Sequence, residues 1–139
     1  MSSELCKMHG VTSIKKLMEK SAYIGDIDTV KKCLELSPIK GKQLNTSLLN
    51  AVRNNHSEIA WLLCERGVVD LYEPMACAIR YEYTEIAHFL QWWVIERFDR
   101  AMLNAEKGGE TELAEDYRKR KAKLLEEYQE RETFMLGAH

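Results

Sequence analysis

Apolar residues recur at helical spacing along most of this chain. Over residues 12–38 they fall at every third or fourth position and are interrupted at Gly25, which predicts two helices joined by a tight turn. The same arrangement returns over residues 48–67, with its turn at Asn54-Asn55. The pattern therefore predicts consecutive pairs of short helices.

An asparagine and a proline, Asn55 and Pro74, are predicted to mark the starts of two helices. Asn55, followed by Glu58 three residues later, is predicted to cap the second helix of its pair through a capping box. Pro74 is predicted to lie in the first turn of the following helix, where proline is tolerated. That helix is predicted to end in a turn near residues 81–83.

The regularity changes after this turn. Residues 84–106 contain no glycine or proline, and apolar residues continue at helical spacing, so one long helix is predicted where a loop would be expected. The glycine pair at 108–109 ends it, and residues 111–134 are predicted to form a second long helix with a charged outer surface. Four apolar residues are expected to join the two helices: Phe98, Met102, Leu113 and Tyr117.

A short motif also recurs every 27 residues, and we call this spacing the repeat interval. Ser57-Glu58-Ile59-Ala60 returns as Thr84-Glu85-Ile86-Ala87 and then, after the same interval, as Thr111-Glu112-Leu113-Ala114. Units of this size cannot each enclose a core, so they bury one by stacking. Stacked repeats typically present a surface that holds a partner.

Residues 46–71 resemble one ankyrin repeat, whose family pattern opens with Thr-Pro-Leu-His-x-Ala. The matching positions are Thr46, Leu48, Ala51, His56 at the inter-helix turn, the leucine pair Leu62-Leu63 and the closing Gly67. The resemblance extends over residues 13–97, and His56 is expected to bond the turn backbone. Repeat spacings of 30 and then 27, against about 33 in the family, imply that the hairpin fingers between units are shortened or absent.

The resemblance implies an all-α fold. We expect a flexible tail over residues 1–11, an ankyrin-like helical repeat stack over 12–97, a C-terminal long-helix hairpin cap over 98–134 and a tail over 135–139. A polar terminal cap is what an open repeat stack needs for solubility.

The resemblance also implies a binding surface. Ankyrin partners usually bind in the concave groove, into which two variable positions after the alanine of each first helix point. The positions carried over are Tyr23, Ile24, Arg53, Asn54, Arg80, Tyr81, Lys107 and Gly108, and all of these except Ile24 and Gly108 are the six predicted binding residues. Arg53, Arg80 and Lys107 form a candidate basic row beside Tyr23 and Tyr81, and guanidinium groups suit carboxylates or phosphates. The expected partner is a protein with an acidic segment; the alternative is that these are ordinary arginines of a solvated helix face.

Composition excludes several other functions. A formal net charge of -2 gives no general attraction to nucleic acid or to a membrane surface. Cys6 and His9 lack a second pair of ligands at zinc spacing, and no nucleophile with a neighbouring base is recognisable, so we expect no metal, no cofactor and no enzymatic activity. Four cysteines without paired spacing favour a reducing compartment such as the cytoplasm.

Three alternatives remain open at this point. The chain is expected to be a small adaptor or inhibitor, monomeric or weakly homodimeric. Alternatively, it is a structural or homodimerising subunit that uses the 111–134 helix as its contact. Residues 124–136 resemble the C-terminal signals of effectors exported by bacterial type IV secretion, which implies export into a host cell, whereas the simpler interpretation is a charged helix. Trp61 and Trp92 are either interface anchors or residues packed within the molecule.

Overall fold

The computed structural model describes the backbone of residues 2–39 and 41–137 and the side chains of residues 3–39 and 41–130. Over these residues the secondary structure is helical without any strand, which confirms the all-α class. The elements are α1 (Ser2–Met8), α2 (Ile14–Ile24), α3 (Ile27–Leu36), a 3₁₀ turn (Gly41–Leu44), α4 (Asn45–Arg53), α5 (Ser57–Glu65), α6 (Tyr72–Arg80), α7 (Thr84–Lys107) and α8 (Thr111–Gly137). The chain divides into two compact units, Met1–Ala87 and His88–His139, and the boundary lies within α7.

The first unit is built from antiparallel helix pairs. α2 packs against both α3 and α4, and α4 packs against both α5 and α6. Many of the largest fully buried side chains recur at helical spacing on the inward faces, among them Leu17, Met18, Val30, Leu48, Val52, Ile59, Leu63 and Met75. Because burying one such side chain contributes roughly 1.5–3 kcal/mol, the contacts between pairs are a major source of this unit's stability.

The turn that closes the first helix of each pair has the same geometry every time. Gly25, Asn55, Glu82 and Gly109 all have left-handed backbones, with φ of 87°, 59°, 59° and 74°. The amide of the next residue donates to the carbonyl five residues before it: Asp26 to Ser21 (2.9 Å), His56 to Ala51 (2.8 Å), Tyr83 to Ala78 (2.8 Å) and Glu110 to Ala105 (2.8 Å). This is the long bond of a Schellman motif, so the repeat in the sequence is also a repeat in local backbone structure.

The predicted capping role of Asn55 is wrong. Asn55 adopts the left-handed conformation that ends α4, and α5 starts two residues later after His56, without a side-chain cap. Asparagine tolerates this conformation better than most residues, which is the physical reason for its presence here. The helix caps that the structure does contain are Ser13 on α2, Asp26 on α3 and Asp70, whose Oδ1 accepts from the first amides of α6.

The predicted long helix over 84–106 is confirmed by α7, which ends at Lys107. The helix is continuous because two residues that separate α5 from α6 are replaced by other residue types one repeat interval later. Gly67, with φ of 81°, follows α5, and its equivalent one repeat interval later is Val94. Asp70 caps α6, and its equivalent is Arg97. The signals that stop one helix and start the next are therefore both lost, and the backbone continues as helix.

In the second unit the returning helix α8 packs against α7. The Phe98 and Tyr117 rings meet edge to face with centroids 6.3 Å apart, as the sequence predicted for this pair. Lys121 Nζ donates to Asp99 Oδ1 at 2.6 Å, and Arg118 bridges to Glu106 at 3.0 Å. α8 therefore contributes both apolar and charged contacts to α7.

Both ends of the chain differ from the expected tails. Residues 2–8 form α1, in which Cys6 is buried, and Val11 donates its amide to the Cys6 carbonyl at 3.0 Å. Residues 135–137 belong to α8, whereas 138–139 lie outside the described residues. None of the described helices combines the length and the low charge needed to cross a bilayer.

Candidate functional site

Five of the six predicted binding residues lie at the ends of three neighbouring helices in the first unit. Tyr23 is in the last turn of α2, Arg53 and Asn54 end α4, and Arg80 and Tyr81 end α6. Since α4 packs against both α2 and α6, the structure brings these residues together. We call this set the helix-end row. The sixth predicted residue, Lys107, is exposed at the end of α7 in the second unit.

The exposed groups of the helix-end row are aromatic and cationic. Tyr23 and Tyr81 are 55% and 53% exposed, and both arginines are exposed. Neither guanidinium forms an ion pair with any side chain that the structure describes. These four side chains are therefore available to a ligand, and the two charges are not neutralised within the described part of the chain.

Asn54 has a different role from its four neighbours. Its side chain is only partly exposed, and its Nδ2 donates to the Asn50 carbonyl in the last turn of α4 at 3.0 Å. This bond satisfies one of the carbonyls that a helix end leaves without an intrahelical partner. Asn54 therefore stabilises the end of α4 on which Arg53 lies.

Two side chains that the sequence did not place in the site hold the row together. His56 Nε2 donates to the Tyr23 carbonyl at 3.0 Å, and Tyr83 Oη donates to the Arg53 carbonyl at 3.3 Å. His56 and Tyr83 are one repeat interval apart, so both make the same bond from one helix pair to the preceding one. The sequence-based expectation that His56 bonds the backbone of its own turn is wrong, because the acceptor is Tyr23 in the last turn of α2.

The His56 bond requires a glycine beside it. A Cβ placed on Gly25 would lie 2.6 Å from His56 Cε1, which is closer than carbon atoms approach. The absence of a side chain therefore serves two purposes at Gly25, namely the left-handed backbone and the space for the imidazole ring. The repeat in the sequence does not reveal either requirement for glycine, because the residues equivalent to Gly25 in the next two repeats are Asn55 and Glu82.

The stacked ring pair extends the row toward α6. Tyr81 and Tyr83 lie with centroids 5.8 Å apart and planes 27° apart. Since Tyr83 also bonds the Arg53 carbonyl, this ring pair connects the end of α4 with the end of α6. The two tyrosine rings therefore lie beside the helix end that carries Arg53.

The charges of both arginines act on one buried thiol, that of Cys77. Burial raises the pKa of the Cys77 thiol, and the positive charges of Arg53 and Arg80 both oppose that shift.

On the α2–α3 turn, Asp26 accepts a hydrogen bond from the Thr29 hydroxyl at 2.6 Å and another from the Thr29 amide at 3.2 Å. These two bonds, the hydroxyl's first, lower the pKa of Asp26. Asp26 therefore remains ionised at neutral pH as the cap of α3.

Other candidates from the sequence gain less support. No group of three or more histidine, cysteine or acidic side chains is arranged to hold a metal within the described residues. Trp61 and Trp92 are 40% and 50% exposed, and Trp92 meets Trp93 edge to face at 5.0 Å. The side chains over 131–136, part of the candidate export signal, lie outside the described residues.

No protein-family model, curated protein or solved structure matches this chain with statistical significance. The likeness to ankyrin repeats is therefore a resemblance in sequence pattern.

Proposed function

We propose that this protein is a small ankyrin-like repeat module that binds a protein partner through the helix-end row and catalyses no reaction. One observation carries the proposal: the ends of α2, α4 and α6 each present an exposed tyrosine or arginine at equivalent positions. These two residue types are over-represented among the residues that dominate binding energy at protein interfaces. In ankyrin repeats the same positions usually face the partner.

The local structure supports the repeat interpretation. The turn with a left-handed residue recurs at nearly constant spacing, at Gly25, Asn55, Glu82 and Gly109, and helix pairs pack side by side in the first unit. In this interpretation α7 combines the second helix of the third pair with the first helix of a fourth. α8 is then the second helix of that fourth pair, and it has the polar surface that a terminal repeat needs.

A capture experiment with matched variants tests the proposed function. The tagged protein serves as bait in extract of its native cell, beside Arg53→Ala/Tyr81→Ala and the control Lys31→Ala/Tyr72→Ala. The control removes an exposed cation and an exposed tyrosine from other positions. A partner retained by the parent and the control but lost by the first variant supports the proposal. Equal capture by all three folded baits contradicts it.

Mass in solution separates the adaptor from a structural subunit. An adaptor of this kind should keep the mass of one chain over a wide range of protein concentrations. A dimer whose population rises with concentration, and which is lost when charges on α8 are reversed, would instead favour association through the C-terminal helix.

A further inference from the structure

We infer that Arg53 and Arg80 bind an extended, acidic peptide segment of the partner, with one carboxylate engaged by each guanidinium group. This inference rests on the proposed function and adds the chemistry of the partner to it. It starts from two exposed cations that have no ion-pair partner among the described side chains.

The position of the arginines decides the sign of the partner. Both are the last residue of their helices, α4 and α6, where exposed carbonyl groups carry partial negative charge. The guanidinium groups are therefore the source of positive potential at this surface. An acidic segment gains a charge-assisted hydrogen bond from each guanidinium group, which outweighs the partial negative charge of the helix carbonyls, whereas a basic segment meets two like charges.

The spacing of the arginines favours an extended peptide. Packed helices have axes about 8–10 Å apart, so the helix ends from which Arg53 and Arg80 extend are separated by roughly that distance. Alternate side chains of an extended segment lie on one side, about 7 Å apart. Flexible arginine side chains bridge the difference, so carboxylates two residues apart reach both groups.

The tyrosines add contacts that charge alone does not supply. Tyr81, stacked on Tyr83, lies next to Arg80 in sequence, and Tyr83 bonds the Arg53 carbonyl. The peptide backbone and its apolar side chains pack on these rings between the two charged contacts. Nucleic acid is a poorer ligand, because its affinity commonly depends on about 6–10 phosphate contacts and this row supplies two cations.

One neighbouring carboxylate opposes the binding. Glu82 is exposed directly after Tyr81, on the turn that follows Arg80. Its charge repels an acidic segment, so removing that charge should strengthen binding. This gives the inference a variant whose expected effect is opposite to that of arginine removal.

The test uses labelled peptides of defined composition and the full-length chain. A fluorescent twelve-residue peptide of alternating Glu and Ser is titrated beside matched Gln/Ser and Lys/Ser peptides and a single-stranded oligonucleotide. We expect the acidic peptide to bind in preference to the other three. The double variant Arg53→Gln/Arg80→Gln should weaken its binding by about tenfold or more and reduce its salt dependence. Glu82→Gln should tighten binding, and the control Lys31→Gln/Arg66→Gln, with the same change in net charge, should leave it near the parent value.

Each outcome bears on one proposal. Equal binding of the oligonucleotide, or of the Gln/Ser peptide, overturns the inference. Loss of binding with the control variant as well shows a response to net charge and also overturns it. If the cellular partner is retained by Arg53→Gln/Arg80→Gln but lost with Tyr23→Ala/Tyr81→Ala, the acidic chemistry is wrong while the proposed function stands. Thermal unfolding of each variant confirms that it is folded.

Discussion

The imidazole Nε2 atom of His56 lies 3.0 Å from the backbone oxygen of Tyr23, in the preceding helix pair. The same ring fills the space into which a side chain on Gly25 would project. One histidine thus joins the conformation of a turn to the position of a predicted binding residue. The stability of the turn and the geometry of the helix-end row are coupled through this contact.

Gly25→Ala should therefore cost more than an ordinary glycine replacement at positive φ. Gly67→Ala is the matched control, since Gly67 has a similar φ of 81° and nothing within 4 Å of an added Cβ. We expect the control to lower the free energy of unfolding by about 1 kcal/mol and Gly25→Ala by at least about 1 kcal/mol more. In a His56→Ala background the two costs should become equal in denaturant titrations. An unchanged difference there would show that His56 does not cause it.

Glu82→Gly should stabilise the protein. Glu82 has a φ of 59°, a conformation that costs an ordinary L-residue roughly 1–2 kcal/mol and costs glycine little. Part of that gain is offset by the greater freedom of glycine in the unfolded chain, so a net increase of about 0.5–1 kcal/mol in the free energy of unfolding is expected. Lys31→Gly, in the middle of α3, should lower it by about 1 kcal/mol. A destabilised Glu82→Gly variant would contradict the left-handed assignment.

Glu96→Pro tests the continuity of α7. Proline removes a backbone donor and clashes with the preceding turn, so this substitution should cost about 3 kcal/mol if residues 91–99 are helical. Thr111→Pro is the control, because residue 111 is the first of α8, where proline is tolerated. If Glu96→Pro melts at the parent temperature, residues 91–99 form a loop and the fourth repeat is an ordinary one.

The buried thiol of Cys33 should make stability fall at high pH. Burial, with a smaller contribution from Cys6, raises the pKa of Cys33 from an ordinary value of 9.0 to about 11. The unfolded chain therefore loses this proton near pH 9 while the folded chain keeps it until about pH 11. Ionisation thus favours unfolding in that interval and has no effect at lower pH. The free energy of unfolding of Cys33→Ala should decrease less steeply than that of the parent from about pH 9 upward. Parallel curves would show that Cys33 does not contribute.

The amino-acid sequence determined those features that depend on neighbouring residues. Helical periodicity located α2 to α8, and the glycine-free stretch after Thr84 was sufficient to predict one continuous helix. These predictions succeeded because helix formation and termination depend on side-chain periodicity and on local stop signals. The misplaced cap at Asn55 shows the limit of such reasoning, since the same residue type serves at a helix start and in a left-handed turn.

Only the tertiary structure decided how the helix pairs interact. His56 reaches back to Tyr23, and Tyr83 reaches back to Arg53, each across a whole helix pair in sequence, so no local pattern reveals either bond. Each bond depends on packing between helix pairs, which sets the position of one pair's turn against the preceding helix end. The sequence by itself determined which residues lie at the helix ends. Only packing between helix pairs brought these residues together, because the position of a distant backbone atom cannot be read from the residues around one side chain.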